Sequence, residues 1–256
     1  MSEVPTDVAI RLEGLHKTFG TQRVLQGLDL DVMMGKVNVV IGLSGAGKSV
    51  LLKLIMGLIR LDAGRVLVHG EDIAALNARA ARRMRSRFGL VFQNGALFDS
   101  MTVFENVAFP LREHTRMGEA EIRARVMECL APVGLETYTE KMPGDLSGGM
   151  RKRASLARAL VRTPEFILYD EPTTGLDPIR CAAIDQLIID TNNSREGLTS
   201  LVISHDMSGV FKIADHVSML HHGQIIASGP PDVFVNIDDA RVQQFIHGHR
   251  EGPITD

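Results

Sequence analysis

Two stretches of this 256-residue chain combine glycine, hydroxyl and cationic side chains in the way that holds an anion. They are GLSGAGKS, Gly42 to Ser49, and LSGGMRKR, Leu146 to Arg153. The first fits G-x-x-x-x-G-K-[ST] and stands between an apolar run, VNVVI, and a segment of helical character. Its glycines let the backbone N–H groups of Gly42, Leu43, Ser44, Gly45, Ala46 and Gly47 wrap phosphate oxygens, and the helix that follows adds the positive end of its dipole. Lys48 would then reach the β- and γ-phosphates, and Ser49 would ligate Mg2+. A dinucleotide-type glycine pattern fails, because Val50 stands three positions after Gly47, where that pattern needs glycine.

FILYDE, Phe166 to Glu171, reads as a buried strand ending in two acids. Beside a phosphate loop, Asp170 would hold Mg2+ and Glu171 would orient and deprotonate an attacking water. His205 follows SLVIS and Gln93 follows GLVF. If those strands run parallel, both residues reach the same carboxyl edge of one sheet, His205 near the γ-phosphate and Gln93 near Mg2+ or the water. Phe19, in HKTFG, is placed to stack on an adenine, with a core position as the competing reading. Each of these residues alone has a bland explanation; their convergence on one sheet edge does not.

The elements that must position them follow from periodicity. LDLDV, Leu28 to Val32, alternates as a half-buried strand does, whereas VNVVI suits a sheet covered on both faces. Further strands are expected at GRVLVHG, RFGLVFQ (ending near Gln93), FILYD, SLVIS and the pair within VSMLHHGQIIAS, with helices from Lys48, over Ala78 to Arg87, after LSGGM to Arg162, and over Pro178 to Asn192. Strands alternating with helices predict an α/β fold with a mainly parallel core. Residues 94–162 read as an inserted helical subdomain. Residues 8–236 form the main domain, and 237–256 give a short helix and a polar tail expected to fray.

Composition narrows the classes. A net charge of −3 argues against a protein that coats nucleic acid. Cys129 and Cys181 lie far apart, without the spacing of a metal site or a disulfide framework. The apolar run Val50 to Ile59 is broken by Lys53 and is too short to span a membrane, and MSEVPTDVAIRLEGL lacks the apolar core of a secretory signal. His221, His222, His247 and His249 read as solvated surface residues.

Why one domain needs two anion loops has a geometric answer. Within one chain the helical insertion separates them. Two copies paired head to tail would bring Ser147 and the N–H groups of Gly148 and Gly149 from one to the phosphate held by Lys48 of the other, with Asp177 at the same seam. Gly42–Ser49, Gln93, LSGGM, YDE, GLDP and SHD occur in the order and rough spacing of ATP-binding cassette ATPases, which this chain resembles over about residues 8–235. The resemblance implies a P-loop NTPase with a RecA-like core, an antiparallel β-subdomain and an inserted helical subdomain. It also implies ATP with Mg2+, and a homodimer whose signature loop acts across the seam.

VFQNGALFDSMTVFENVAFPLREH, DLSGGMRKRASLARAL and YDEPTTGLDPI resemble in particular the MlaF-type ATPases of Mla/Mce-linked lipid transporters. That implies an MlaE-like permease, an MlaD-like MCE-domain substrate-binding protein and an MlaB-like STAS-domain protein as partners. The ATPase would then sit on the cytoplasmic face of the inner membrane. Two departures stand out: Val50 replaces a frequent second hydroxyl, and Phe19 replaces the commoner Tyr. Phe98, Met101, Val103 and Phe104 fall where that family's permease docks, against the alternative that about half of them are core. Among rival classes, a solute importer's ATPase, for example for amino acids, would share the site chemistry. A DNA- or ribosome-acting cassette would carry coiled coils or tandem cassettes, and a stand-alone kinase would leave LSGG without a purpose. The resemblance also implies that the tail can engage a neighbouring ATPase or the STAS protein, against the plainer reading of a helix packed on its own domain with a loose end.

Overall fold

The computed structural model describes residues 6–255. Two long strands, β1 (Val8–Phe19) and β2 (Gln22–Met33), pair antiparallel. Leu28, Leu30 and Val32 turn inward from β2 while Asp29 and Asp31 keep access to solvent, as the alternation requires. β3 (Val37–Ile41) belongs to a second sheet, and β4 (Ala63–Val68) and β5 (Glu71–Asp72) complete the first, in the order β2-β1-β4-β5. The second sheet adds β6 (Phe88–Val91), β7 (Phe166–Asp170), β8 (Thr199–Ser204), β9 (His216–His221) and β10 (Gln224–Gly229). Its order is β10-β9-β3-β8-β7-β6, parallel except for β10.

Every residue of β3 is buried, which fits a strand covered on both faces. Val37, Val39 and Ile41 join one apolar cluster with Ile167, Tyr169 and Val202, whereas Val40 joins the other with Leu168, Leu201 and Ile203. The second cluster unites the antiparallel sheet with α1 (Lys48–Ile55). The first contains the buried hydrophobic residues of α3 (Val103–His114), α4 (Glu119–Leu130) and α5 (Gly148–Leu160). The helices of the 94–162 region therefore share one core with a face of the central sheet. The basic segment forms α2 (Ala78–Arg85), with Arg79, Arg82 and Arg83 exposed.

Strand register aligns the chemistry. Ile41 pairs with Ser204, Asp170 with Ile203 and Val91 with Tyr169, so the chain leaves all four strands at one edge. Beyond that edge lie the Gly42 loop, Glu171, His205 and, two residues past β6, Gln93. The loop after Gln93 is pinned on two sides. Arg158 of α5 donates to the carbonyls of Gly95 and Ala96, and buried Asn106 of α3 accepts from the Phe98 N–H while donating to the carbonyls of Phe98, Met101 and Thr102. Thr102 and Glu105 cap α3 reciprocally, an arrangement that contributes about 1 kcal/mol.

Downstream come α6 (Pro178–Asn193), α7 (Met207–Ile213), α8 (Pro231–Phe234) and α9 (Ala240–His247). Val242 of α9 is buried, and Phe245, Ile246 and Ile237, the last just before the helix, pack against the same cluster. Two expectations are corrected here. The end of the tail is tied back to α9: the buried Gln244 side chain donates to the Ile254 carbonyl at 3.0 Å and accepts from the Ile254 N–H at 2.7 Å, while Ile254 packs on the core. A side-chain amide pairing with both polar groups of one residue mimics a strand ladder, which composition alone does not reveal. His221 is not a solvated residue either. It ends β9 buried, and that burial lowers its pKa.

Gln244→Ala removes both tail bonds at once. It should cost about 1–3 kcal/mol of stability and expose residues 248–255 to limited proteolysis, read by denaturant titration and by mapping the first cleavage.

Candidate nucleotide site

The phosphate loop is shaped by close approach. Gly42 (φ +154°) passes so near the Leu220 carbonyl of β9 that a Cβ would collide with it, and a Cβ on Gly47 (φ +103°) would lie 2.8 Å from Val24 Cγ1. Both positions call for glycine on steric grounds. The turn Leu43–Ala46 closes with the Ala46 N–H donating to the Leu43 carbonyl at 3.2 Å. Lys48, 4% exposed, donates from Nζ to the carbonyls of Gly42 and Leu43, both at 2.9 Å, and lies 3.8 Å from Glu171 Oε1. Burial lowers the Lys48 pKa, opposed by the neighbouring Glu171 and Asp170 carboxylates. The ammonium thus sits inside the loop, where phosphate oxygens would be its natural counter-charge.

Next to it, Ser49 Oγ donates to Asp170 Oδ1 at 2.9 Å, and burial raises the Asp170 pKa. A hydroxyl and a carboxylate at the mouth of a phosphate loop form the hard-oxygen pair that suits Mg2+. Glu171 has a left-handed backbone, φ +49°, pinned by its N–H donating to the Ile203 carbonyl at 3.0 Å. Such a conformation at a strand end re-aims the side chain at the cost of local strain. Glu171 Oε1 lies 3.3 Å from His205 Nδ1, and Oε2 accepts from Thr174 Oγ1 at 3.0 Å. One carboxylate therefore meets Lys48, His205 and Thr174.

A cleft of about 490 Å3 is lined by Phe19, Ser44, Gly45, Gly47, Lys48, Ser49, Val50, Gln93 and Glu171. Phe19 is 48% exposed, with the Lys17 ammonium 5.2 Å from its ring centroid, so it is a surface ring open to stacking and not core. A neighbouring cleft of about 1090 Å3 joins Gln93, Glu171, Thr174 and His205 to residues 244–249 and Ile254 of the tail. The predicted residues of the first loop and the strand ends are thus brought together.

Those of the second loop lie elsewhere. Ser147 caps α5, its Oγ accepting from the Met150 N–H at 3.3 Å, and Asp177 caps α6 by accepting from the Arg180 N–H at 3.1 Å. Ser147 and Gly149 line a separate cleft of about 580 Å3 with Met150, Arg153 and Arg180, which shares no residue with the phosphate-loop cleft. Gly148 abuts Leu176, so the signature loop and the segment ending in Asp177 lie side by side. In the proposed docking segment, only Val103 is fully buried. Phe98 is 44% exposed and packs on Phe109 at 4.9 Å, and Met101 and Phe104 are half-buried.

Sequence reasoning missed Thr174 and Lys152. Lys152 Nζ donates to the Thr174 carbonyl at 2.6 Å, joining α5 to the Glu171 turn. The available signal was a lysine on a helix face that also carries Ala and Leu, with no acid at helical spacing to pair with it.

Comparison with known proteins accords with this geometry. The family model described as ABC transporter matches residues 25–174. The probable ribonucleotide transport ATP-binding protein of Mycobacterium leprae is 46% identical over 98% of this chain and 72% of that one. The intermembrane phospholipid transport system ATP-binding protein MlaF of Haemophilus influenzae is 42% identical over 96% of this chain and 92% of its own. A dimeric ATP-binding cassette, solved in a post-hydrolysis state with ADP and Pi, superposes with a TM-score of 0.79 at 30% identity, covering 87% of this chain and 98% of that one. With the phosphate loop, the strand-end residues and the LSGG loop in place, the chain belongs to the ABC transporter family as its ATPase, binding and hydrolysing ATP.

Proposed function

We propose that two copies of this chain close on ATP and drive a membrane permease that moves phospholipids between membranes. The observation that carries the two-copy arrangement is the separation of the two anion loops into clefts with no residue in common. The related cassette solved as a dimer supports it, and likeness to MlaF over nearly the whole chain supports the lipid cargo. No described helix is long and apolar enough to cross a membrane, and in this reading a partner couples the chain to the bilayer. The exposed Phe98, with Met101 and Phe109, offers the docking surface just beyond Gln93. In this reading the partners are an MlaE-like permease, an MlaD-like MCE protein and an MlaB-like STAS protein, and the ATPase lies on the cytoplasmic face of the inner membrane.

In the proposed mechanism Phe19 stacks on the adenine, and Lys48 with the N–H groups of the Gly42–Ser49 loop neutralises the phosphates. Mg2+ would be held by Ser49 and Asp170, with Gln93 nearby, and would supply charge neutralisation at the phosphates. Glu171 Oε1 takes the proton of the attacking water while Oε2 stays bonded to Thr174 Oγ1. His205, beside Oε1, holds the γ-phosphate. From the other copy come the Ser147 hydroxyl and the N–H groups of Gly148 and Gly149. The first turn of a helix has no internal acceptors for its N–H groups, so these two amides are available to an anion.

The M. leprae relative's name points to a nucleotide cargo, and the site chemistry is the same for either. The permease decides. Extracting the complex from membranes and identifying its bound molecules by mass spectrometry should find phospholipid and an MCE-domain subunit. A complex carrying a solute receptor and no lipid would overturn the cargo assignment.

A further inference from the structure

Lys152 lies on α5, the helix that begins at the signature loop, and is only 6% exposed. Among the described residues its ammonium has no carboxylate partner, and its hydrogen bond goes to the Thr174 carbonyl at 2.6 Å. Methionine would fill a similar space without the cost of desolvating a charge, so the ammonium has to be explained by what it bonds. Thr174 is tied at its other end to Glu171: Oγ1 donates to Oε2 at 3.0 Å, and the Thr174 N–H to the Glu171 carbonyl at 3.3 Å. The sheet holds the same turn from the opposite side, through the Glu171 N–H and Ile203.

We infer that Lys152 is a positioning residue for hydrolysis, fixing the Thr174 carbonyl and, through Thr174 Oγ1, the orientation of the Glu171 carboxylate. With Oε2 held by Thr174, Oε1 is the oxygen left facing His205 and Lys48. Lys152 lies on the helix that Ser147 caps, so with that loop serving the other copy's nucleotide, as proposed above, a shift of α5 at one site moves the carboxylate of its own. The inference rests on the reading of Glu171 as the group that orients the water.

The test is a double-mutant cycle on the full-length chain, assayed for ATPase over a range of ATP concentrations and for ATP binding at equilibrium. Lys152→Met should lower kcat about 10- to 100-fold, the size of effect that a misplaced catalytic group produces, while KM and ATP affinity stay at wild-type values. Thr174→Val, which removes only the hydroxyl link, should do the same. The double variant should be no slower than the slower single one, because both act on one path. Lys152→Gln, which keeps an N–H donor, should recover part of the lost rate.

Losses that multiply in the double variant, or a wild-type kcat in Thr174→Val, would overturn the inference. Thr174→Val leaves Lys152 in place and so carries the test even if Lys152→Met does not fold. A wild-type rate in Lys152→Met beside an inactive Glu171→Gln would remove the inference alone. Normal turnover in Glu171→Gln would remove the reading beneath it.

Discussion

Glu171→Gln should bind ATP as tightly as the wild type and hydrolyse it about 10²–10⁴-fold more slowly. The substitution keeps the length of the side chain and an acceptor for Thr174 Oγ1, so the turn after β7 retains its hydrogen bond. The left-handed Glu171 backbone is held by Ile203 through the main chain and is unaffected. The capacity to take a proton is lost, together with the negative charge beside Lys48 and His205. Without hydrolysis, two copies closed on ATP reopen only as fast as the intact nucleotide dissociates, so size-exclusion chromatography with ATP and Mg2+ should show a longer-lived two-copy species. The wild type should pass through that species transiently. Wild-type turnover in the variant would remove Glu171 from the chemistry.

Lys48→Ala should fail at an earlier step, with ATP binding weakened and kcat/KM lowered about 10²–10³-fold or more. Its ammonium is the charge held inside the loop, within reach of the Gly42 and Leu43 carbonyls and 3.8 Å from Glu171. Removing it leaves that carboxylate facing a phosphate without a cation between them. Repulsion then adds to the lost attraction. Isothermal titration with ATP separates this variant from Glu171→Gln, since one loses affinity and the other keeps it. Equal affinities would contradict the separate roles assigned to the two residues.

What was legible in the sequence and what was not follows from the range of the interactions involved. The Gly42–Ser49 loop is local chemistry: glycines where the backbone approaches β9 at Gly42 and β2 at Gly47, and a lysine and a serine opening a helix. The gathering of Asp170, Glu171 and His205 was legible because parallel strands deliver their carboxyl ends to one edge, and the register Ile41–Ser204 and Asp170–Ile203 does so. Phe19 was ambiguous because one aromatic residue has no periodic context, and only its exposure separates stacking from core. The tail was misread because HREGPITD is polar, and the bonds that order it come from Gln244, ten residues before Ile254. His221 was misread for a related reason. Burial is continuous from Val217 to His221, so alternation is no guide there. Lys152 and Thr174 are twenty-two positions apart, and no local pattern links a helix lysine to a loop carbonyl.

The pairing of two copies across the nucleotide can be read in mixed complexes, one copy carrying Lys48→Ala and the other Ser147→Arg. If each signature loop serves the other copy's ATP, both lesions fall on the same composite site and the second site is intact in both loops. ATP occupancy, measured on purified mixed complexes, should then show one nucleotide held at wild-type affinity. Complexes of Lys48→Ala alone should bind weakly at both sites, and those of Ser147→Arg alone should keep the Lys48 loop intact but close poorly. If each loop instead serves its own chain, the mixture contains no intact site. Loss of the high-affinity nucleotide from the mixed complex, with Ser147→Arg disturbing ATP bound at Lys48 of its own chain, would contradict the two-copy account.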